Sequence, residues 1–566
     1  MFYIQENRQR IKQLAKIHTI IKLTGIKKCA ILLSMSIITP SQLWESFDRH
    51  TPLCPTIVSQ KDTPFIDKRL YFSGLKTESG CIRIYARFLS VPSDAVQNNP
   101  ALILLPPAHQ SIDTMDAEQL LALFDNRYSI LLVDYFGAGT QKTHHSIYPK
   151  AKNNYWKTDL YTCPTDIKTS AHYYFTTCAL FALSYLEEYY KDLNIDKDKL
   201  GILGINEGAS LVYKASIDKG IKCGATFFCG DLFGANQDNI AYKAALDSRV
   251  YAAKTDFPVL INAATNQKGG EFDYLNELYL SGEQSRLSIF ALSSNAVSDE
   301  QRDNLIKWFD LAMNNGCQKI PCRPKISASV SEGANYIELE GEFDNVKMYI
   351  AESGIADYRN WKIIKHTKIS ENKYLARLDG SSQDHKLFAS VLTKCGFNLS
   401  SEMIDIAAVR NVADQTKRGR IIYKIGYKDS GWLIRGSDFF KTDVPIIAKG
   451  PFELEGIKAK RLTTYAAGDM INRGEAGSLL QIVLHTKVPS VVEFILTTSH
   501  QSLDTSCQPS TEVFRHKKNI IEKDWAMISL SPEDFKSAKG LPVFDRVIGI
   551  ELRAEEDVLI GSVIWV

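Results

Sequence analysis

Between residues 65 and about 315, short continuous apolar runs alternate with segments of helical length, and this alternation constrains the fold more than any other feature of the chain. "CIRIYARFLSVP" alternates as a strand does and ends at proline. "ALILLPP", "YSILLVDYFGAG", "KLGILGI", "GATFFCG" and "FPVLINAAT" are apolar throughout and bounded by turn residues, the pattern of strands buried on both faces of a parallel sheet. Between them lie "TSAHYYFTTCALFALSYLEEYY", with Ser170 as N-cap, and "EGASLVYKASIDKG", closed by Gly220. "SDEQRDNLIKWFDLAMNNG" follows, capped by Ser298 and stopped by Gly316. Strand and helix in this order predict a doubly wound, mostly parallel α/β sheet.

A chain of 566 residues is too long for one core, so further domains are expected. Residues 323–412 change to short strands at hairpin spacing, such as "VKMYIAES" and "KLFASVLT", and read as a small immunoglobulin-like β-sandwich. Residues 413–566 form a second all-β segment, also read as a sandwich. The first segment then spans 46–322, after a lead of 1–45 in which seven basic residues precede the apolar run "CAILLSMSIIT". Basic then short and apolar is the order of an export signal, so a periplasmic or extracellular location is expected. The run is too short to span a bilayer. A net charge of +2 leaves no global electrostatic footprint for nucleic acid, and "KRGR" (Lys417 to Arg420) reads as a solvated linker. The 11 cysteines include no C-x-x-C pair, which argues against zinc and redox motifs, and no cofactor is expected. Cys54 with Cys81, Cys223 with Cys229, and Cys317 with Cys322 are candidate disulfides, with buried free thiols as the alternative.

The most specific motif is "GINEG", residues 204 to 208. A nucleophile elbow, G-x-S-x-G, is a sharp strand-to-helix turn whose flanking positions need glycine and whose central residue is held in a strained conformation. Gly204 and Gly208 occupy the glycine positions, but Asn206 stands where the serine belongs and carries no nucleophilic oxygen. Asparagine tolerates positive φ, so the turn itself needs no catalytic role to explain it.

Residues 65 to 315 resemble the α/β-hydrolases of the acetyl xylan esterase, cephalosporin-C deacetylase and dienelactone hydrolase group. The resemblance is carried by "ALILLPP", "LLVDYFGAG", "NIDKDKLGILGINEGASL", "FPVLINAATNQKGGEFD" and "RDNLIKWF". It implies a serine–histidine–aspartate triad. The aspartate position, after the "PVL" strand, holds Gln267 in "ATNQ". The histidine position, before the last helix, holds Asn295 or Ala296 in "LSSNAVSDE". The oxyanion donors implied are the Glu207 backbone and the loop "PPAHQS", with Ala108 and His109. A serine needs a base and the base an orienting acid, so three matched departures read as a triad abandoned together. Ser210 lies a turn too far into the helix to replace Asn206. Asp273 and His109 are the alternative acid and base, and His144, His145 and His172 lie nearby. Two adjacent histidines, 144 and 145, make a poor metal site.

The last segment resembles the carbohydrate-binding β-sandwich modules attached to polysaccharide-degrading enzymes, through "WAMISLSPEDFKSAKGLPVFDRVIGIELR" and "IGSVIWV". Such modules stack aromatic faces on pyranose rings, and Trp432 and Tyr465 are the candidate platforms, while Trp525 and Trp565 read as core. Three readings follow in order: an exported, catalytically inactive hydrolase homologue that binds a polysaccharide or acetylated sugar; an active carbohydrate-ester hydrolase with a non-standard constellation; and a structural scaffold.

Overall fold

The computed structural model describes residues 38–92, 98–137, 143–149, 166–228, 239–268, 271–294, 296–314, 320–379, 383–409, 420–424, 431–436, 442–475, 477–500, 510–521, 524–535, 537 and 540–566. The basic lead with its apolar run, Asn295, Gly316 and five of the cysteines (29, 163, 229, 317 and 507) lie outside these residues, as does most of "KRGR".

Nine strands of the first segment are β1 (Thr56–Lys61), β2 (Ile66–Thr77), β3 (Gly80–Ser90), β4 (Asn99–Leu105), β5 (Ser129–Asp134), β6 (Ile195–Ile205), β7 (Cys223–Phe227), β8 (Val259–Ala264) and β9 (Ser285–Phe290). They stand in one sheet in the order β1-β2-β3-β5-β4-β6-β7-β8-β9. β1 to β3 and the β3–β5 pair are antiparallel, and every pair from β5 onward is parallel.

The period of 2 along β4 shows why its sequence is apolar throughout. Ala101, Ile103 and Leu105 enter one core, while Leu102 and Leu104 enter the other. The first core is covered by the helices Ala171–Glu188, Ala209–Lys214 and Glu271–Ser281, and the second by Ala117–Ala122 and Asp299–Asn314. Ser170 caps the first of these helices, accepting from the Tyr173 amide at 3.2 Å. Ser298 caps the last, its hydroxyl accepting from the Gln301 amide at 3.1 Å, and Gln301 Oε1 accepts in turn from the Ser298 amide. Trp308 reaches the centre of the sheet and donates to the Gly224 carbonyl at 2.9 Å.

The sheet does not end at β9. Strand Asn398–Ser400 pairs with it through Ser400 and Leu287, and strands His385–Thr393, Phe343–Glu352 and Lys362–Ile364 follow outward. The strands Lys325–Ser331, Ala334–Glu340, Lys373–Asp379 and Thr367–Ser370 make a separate sheet, and side chains of the two meet in the second core.

The last segment is built on the long strand Val547–Trp565. Glu455–Thr464 and Leu480–Thr486 pair with it, and Ser490–His500 joins its first half, with Ser510–Ile520 beyond. Leu462, Phe494, Leu496, Phe514, Ile550 and Leu552 point inward to a third core. The residues between them point outward, a fact that matters below.

Cys54 and Cys81 are both free thiols, so the pairing expected of them is not made. Among the described residues no helix is long and apolar enough to cross a membrane.

Candidate functional site

β6 ends at Ile205, Asn206–Gly208 form a single 3₁₀ turn, and the helix begins at Ala209. Asn206 sits at φ +50, the left-handed region that asparagine tolerates better than other side chains. Both glycines are sterically required. A Cβ on Gly204 would lie 2.4 Å from the Gly208 carbonyl oxygen, and one on Gly208 would lie 2.2 Å from the Leu105 carbonyl oxygen. The turn is as tight as a nucleophile elbow needs, yet the side chain at its apex is an amide.

The loop after β4 lies beside this turn. The Ala108 N–H, expected from the sequence as an oxyanion donor, is already engaged: it donates to Glu207 Oε2 at 2.9 Å. Pro107 has no N–H to offer, and Tyr135 donates to the Pro106 carbonyl at 2.8 Å, pinning the loop from beneath. Burial raises the Tyr135 hydroxyl well above its ordinary pKa, and the charges of Glu207 and Asp134 raise it further, so it stays a neutral donor. The carboxylate of Glu207 therefore closes the space between the turn and the loop after β4.

β6 and β8 are separated only by β7, which puts the Asn206 turn and the Gln267 loop on the same edge of the sheet, about 10 Å apart at the strand spacing. Gln267 is buried, as are Thr265 and Asn266. Asn266 anchors a neighbouring segment: its Nδ2 donates to the Arg359 carbonyl at 2.8 Å and to the Asp357 carbonyl at 3.2 Å. Asp273, the alternative acid, is committed elsewhere. It binds Arg359 in a two-pronged ion pair, Nη1–Oδ1 2.5 Å and Nη2–Oδ2 2.9 Å. The Arg359 side chain is 4% exposed, so Asp273 neutralises a buried charge rather than orienting a histidine. Changing Asp273 to alanine is expected to destabilise the protein by about 2 kcal/mol, measured as a shift in urea midpoint. Asp273→Glu should recover part of that loss.

The histidines do not gather at the elbow. His109 is exposed, and its ring packs edge-on to Phe136 at 4.8 Å. His144 packs against Tyr71 and Tyr85, and its amide donates to Asp113. The His145 ring contacts the Thr143 carbonyl. His172 is fully buried at the start of its helix, against the Tyr242 ring. Among the described residues no group of three His, Cys, Asp or Glu could hold a metal ion.

The two aromatic platforms have different fates. Trp432 is 4% exposed and packs edge-on to Tyr423 in the third core, so it presents no open face for stacking. Tyr465 is also largely buried, but its ring borders a cleft of about 250 Å³. The floor of this cleft is the outward face of the last sheet, with Arg461, Thr463, Arg515, Glu551 and Arg553. Its wall is Asn266, Lys268 and Ser294, which flank Gln267 and precede Asn295. Arg435 enters from the side. The arginines were not singled out in the sequence. Their signal is the polar half of alternating strands, "RLTT", "EVFRHK" and "GIELRAEE", which identifies a solvent face but not that three strands bring their arginines together.

No family model matches the chain, and no curated protein matches it. Among solved structures, acetyl xylan esterase 1 from Thermoanaerobacterium sp. JW/SL YS485 is similar at 13% identity and a TM-score of 0.40, over 50% of this chain and 96% of that one. A glucuronoyl esterase from Solibacter usitatus matches at 14% identity and a TM-score of 0.33, over 47% and 90% of the two chains. An S-formylglutathione hydrolase from Agrobacterium tumefaciens matches at 14% identity and a TM-score of 0.34, over 46% and 100%. Likeness at this level assigns no activity, and the functional reading rests on the residues above.

Proposed function

We propose that the chain is a catalytically inactive member of the α/β-hydrolase fold, doubly wound in its first segment and followed by two β-sandwich domains, that is exported and binds a saccharide. The hydrogen bond from the Ala108 amide to the Glu207 carboxylate carries this reading. Ester hydrolysis requires N–H donors aimed at the oxygen that becomes negative, and loss of one donor alone lowers turnover about 10²–10³-fold. Here a carboxylate occupies the donor and would repel that oxygen. The apex residue Asn206 offers no nucleophile and Gln267 no carboxylate, so no acyl-enzyme route through this turn is available.

Saccharide binding is supported by the resemblance of the last strands to carbohydrate-binding modules and by the tyrosine-bordered cleft against them. Export is supported by the basic lead and its short apolar run. Calorimetry of the full chain against a panel of xylo-oligosaccharides, acetylated and plain, tests the reading when the ligand is recovered and analysed afterwards. Binding with every acetyl group intact is expected. Acetate release above the buffer control would restore the enzyme, and absence of binding across a broad glycan panel would leave only a scaffold.

A further inference from the structure

Three guanidinium groups converge on one carboxylate in the cleft between the first and last segments. Arg461 Nε lies 2.5 Å from Glu551 Oε1, Arg553 Nε donates to the same oxygen, and Arg435 Nη2 stands 3.6 Å from Glu551 Oε2. Strand register explains the meeting: Arg461 pairs with Arg553 across one ladder, and Ile495 pairs with Glu551 and with Arg515 across two others. All therefore project from the same face of the sheet. Arg515 has its own partner, Glu493, at 3.4 Å. Lys268 reaches the cleft from the opposite wall, and among the described residues it has no ion-pair partner.

Asp357 also lines the cleft, so with Glu551 and Glu493 three carboxylates face four guanidiniums and Lys268, and positive charge remains in excess. Burial raises Glu551 towards neutrality, but the hydrogen bonds of Arg553 and Arg461 outweigh it and hold the carboxylate ionised. Arg435 is buried beside these like charges. Burial, then the like charges of Arg461 and Arg553, press its pKa below the ordinary guanidinium value. Its Nη2 is satisfied by Thr463 Oγ1 at 3.1 Å, while its Nε is buried with no hydrogen-bond partner. A network serving only to hold the sheet together would need no surplus of positive charge facing a cavity.

Beside this charge lies a ring surface. Tyr465 packs against Gly549, where a Cβ would come within 3.2 Å of its Cδ1, and Tyr358 packs edge-on to it at 5.1 Å. Gly549 is the residue that lets the tyrosine reach the cleft. Planar guanidinium forks match the geometry of carboxylate and sulfate oxygens, and an aromatic ring at the border of the cleft gives the apolar face of a sugar a surface to pack against.

We propose that this cleft is a binding site for the oxyanion of an acidic saccharide, a carboxylate or a sulfate group held by Arg435, Arg461 and Lys268 while the sugar ring lies against Tyr465. The proposal rests on the saccharide reading above for its ligand class, and on the arginine cluster alone for its charge preference.

Calorimetry of the full chain tests it with oligogalacturonate, a sulfated oligosaccharide, a neutral xylo-oligosaccharide of equal length and inorganic sulfate, each at two salt concentrations. The expected result is that at least one acidic saccharide binds tenfold or more tightly than the neutral one and weakens with salt. The better of the two names the oxyanion. Lys268→Glu, on an exposed side chain with no ion-pair partner among the described residues, should weaken acidic binding tenfold or more and leave the urea midpoint unchanged. Arg461→Gln should weaken it as much and also lower the midpoint, because Arg461 holds the largely buried Glu551. Equal affinity for acidic and neutral saccharides, unmoved by either variant, would overturn the anion site and leave saccharide binding standing. Sulfate binding that both variants abolish, with no saccharide bound, would overturn the saccharide ligand and leave the anion site standing.

Discussion

Replacing Gly208 with alanine is expected to cost about 3 kcal/mol or more of stability, the upper range for forcing atoms into a filled site. The added Cβ would fall 2.2 Å from the Leu105 oxygen, 2.8 Å from its carbonyl carbon and 2.9 Å from its Cβ. None of these atoms is the free end of a flexible side chain. Leu105 terminates β4, which is buried from Ala101 onward and paired to β5 on one side and β6 on the other, so relief requires the centre of the sheet to move. Gly354→Ala supplies the control. Nothing lies within 4 Å of its Cβ position, and the alanine should be neutral or stabilising by up to about 1 kcal/mol. Urea midpoints of the two variants, read beside the wild type, measure the contrast. A Gly208→Ala protein as stable as wild type would mean that the turn does not pack as described.

Loss of Arg87 is expected to have an effect of similar size and a distinct pH signature. Its Nε and Nη2 bind Asp67 at 2.9 and 2.8 Å, and its Nη1 donates to the Ile112 and Met115 carbonyls at 3.1 and 2.8 Å. Both charged side chains are buried, at 5% and 9% exposure, so the arginine ties β2 and β3 to the loop after β4 from inside the protein. Arg87→Met should cost about 3–5 kcal/mol, because it leaves a buried carboxylate without its partner. Burial on its own would raise the pKa of Asp67. The hydrogen bonds and charge of Arg87, with a contribution from Arg69, more than reverse this and hold it below the ordinary carboxylate value.

A carboxyl group depressed in the folded state adds stability above its unfolded pKa of about 4 and loses it as pH falls through the folded value. Wild type should therefore weaken on acidification below about pH 4. In Arg87→Met the depressing partner is gone, so this contribution should vanish and its stability should fall less steeply over the same range. Denaturation midpoints from pH 7 down to 3 would show the two curves converging. Parallel curves would contradict the assignment.

How much of this was legible in the sequence differs from element to element. The run "ALILLPP" identifies a strand buried on both faces because its first five residues, Ala101 to Leu105, are all apolar, and β4 places them alternately in two cores. "GINEG" identifies a tight strand-to-helix turn because two glycines at fixed spacing follow such a run. The capture of the Ala108 amide by Glu207 was not legible. It joins residues 99 positions apart, and no local pattern encodes which N–H a glutamate will meet. The same holds for Asp273, whose partner Arg359 lies in the next segment.

Trp432 and Tyr465 are both candidate platforms in the sequence. Packing separates them: Trp432 falls into a core beside Tyr423, and Tyr465 is laid against a glycine at the border of a cleft. The continuation of the sheet past β9 rests on a single residue pair, Ser400 with Leu287, and no strand pattern announces so brief a contact.

The proposed silence of the elbow is tested most directly by the rate of acetate release from p-nitrophenyl acetate and from acetylated xylan, measured for wild type, Asn206→Ala and Glu207→Ala. With no nucleophile at the apex and a carboxylate on the oxyanion donor, all three proteins should release acetate at the rate of buffer alone. Release by wild type well above buffer, abolished by Asn206→Ala, would show that the turn is a working active site and would contradict the account.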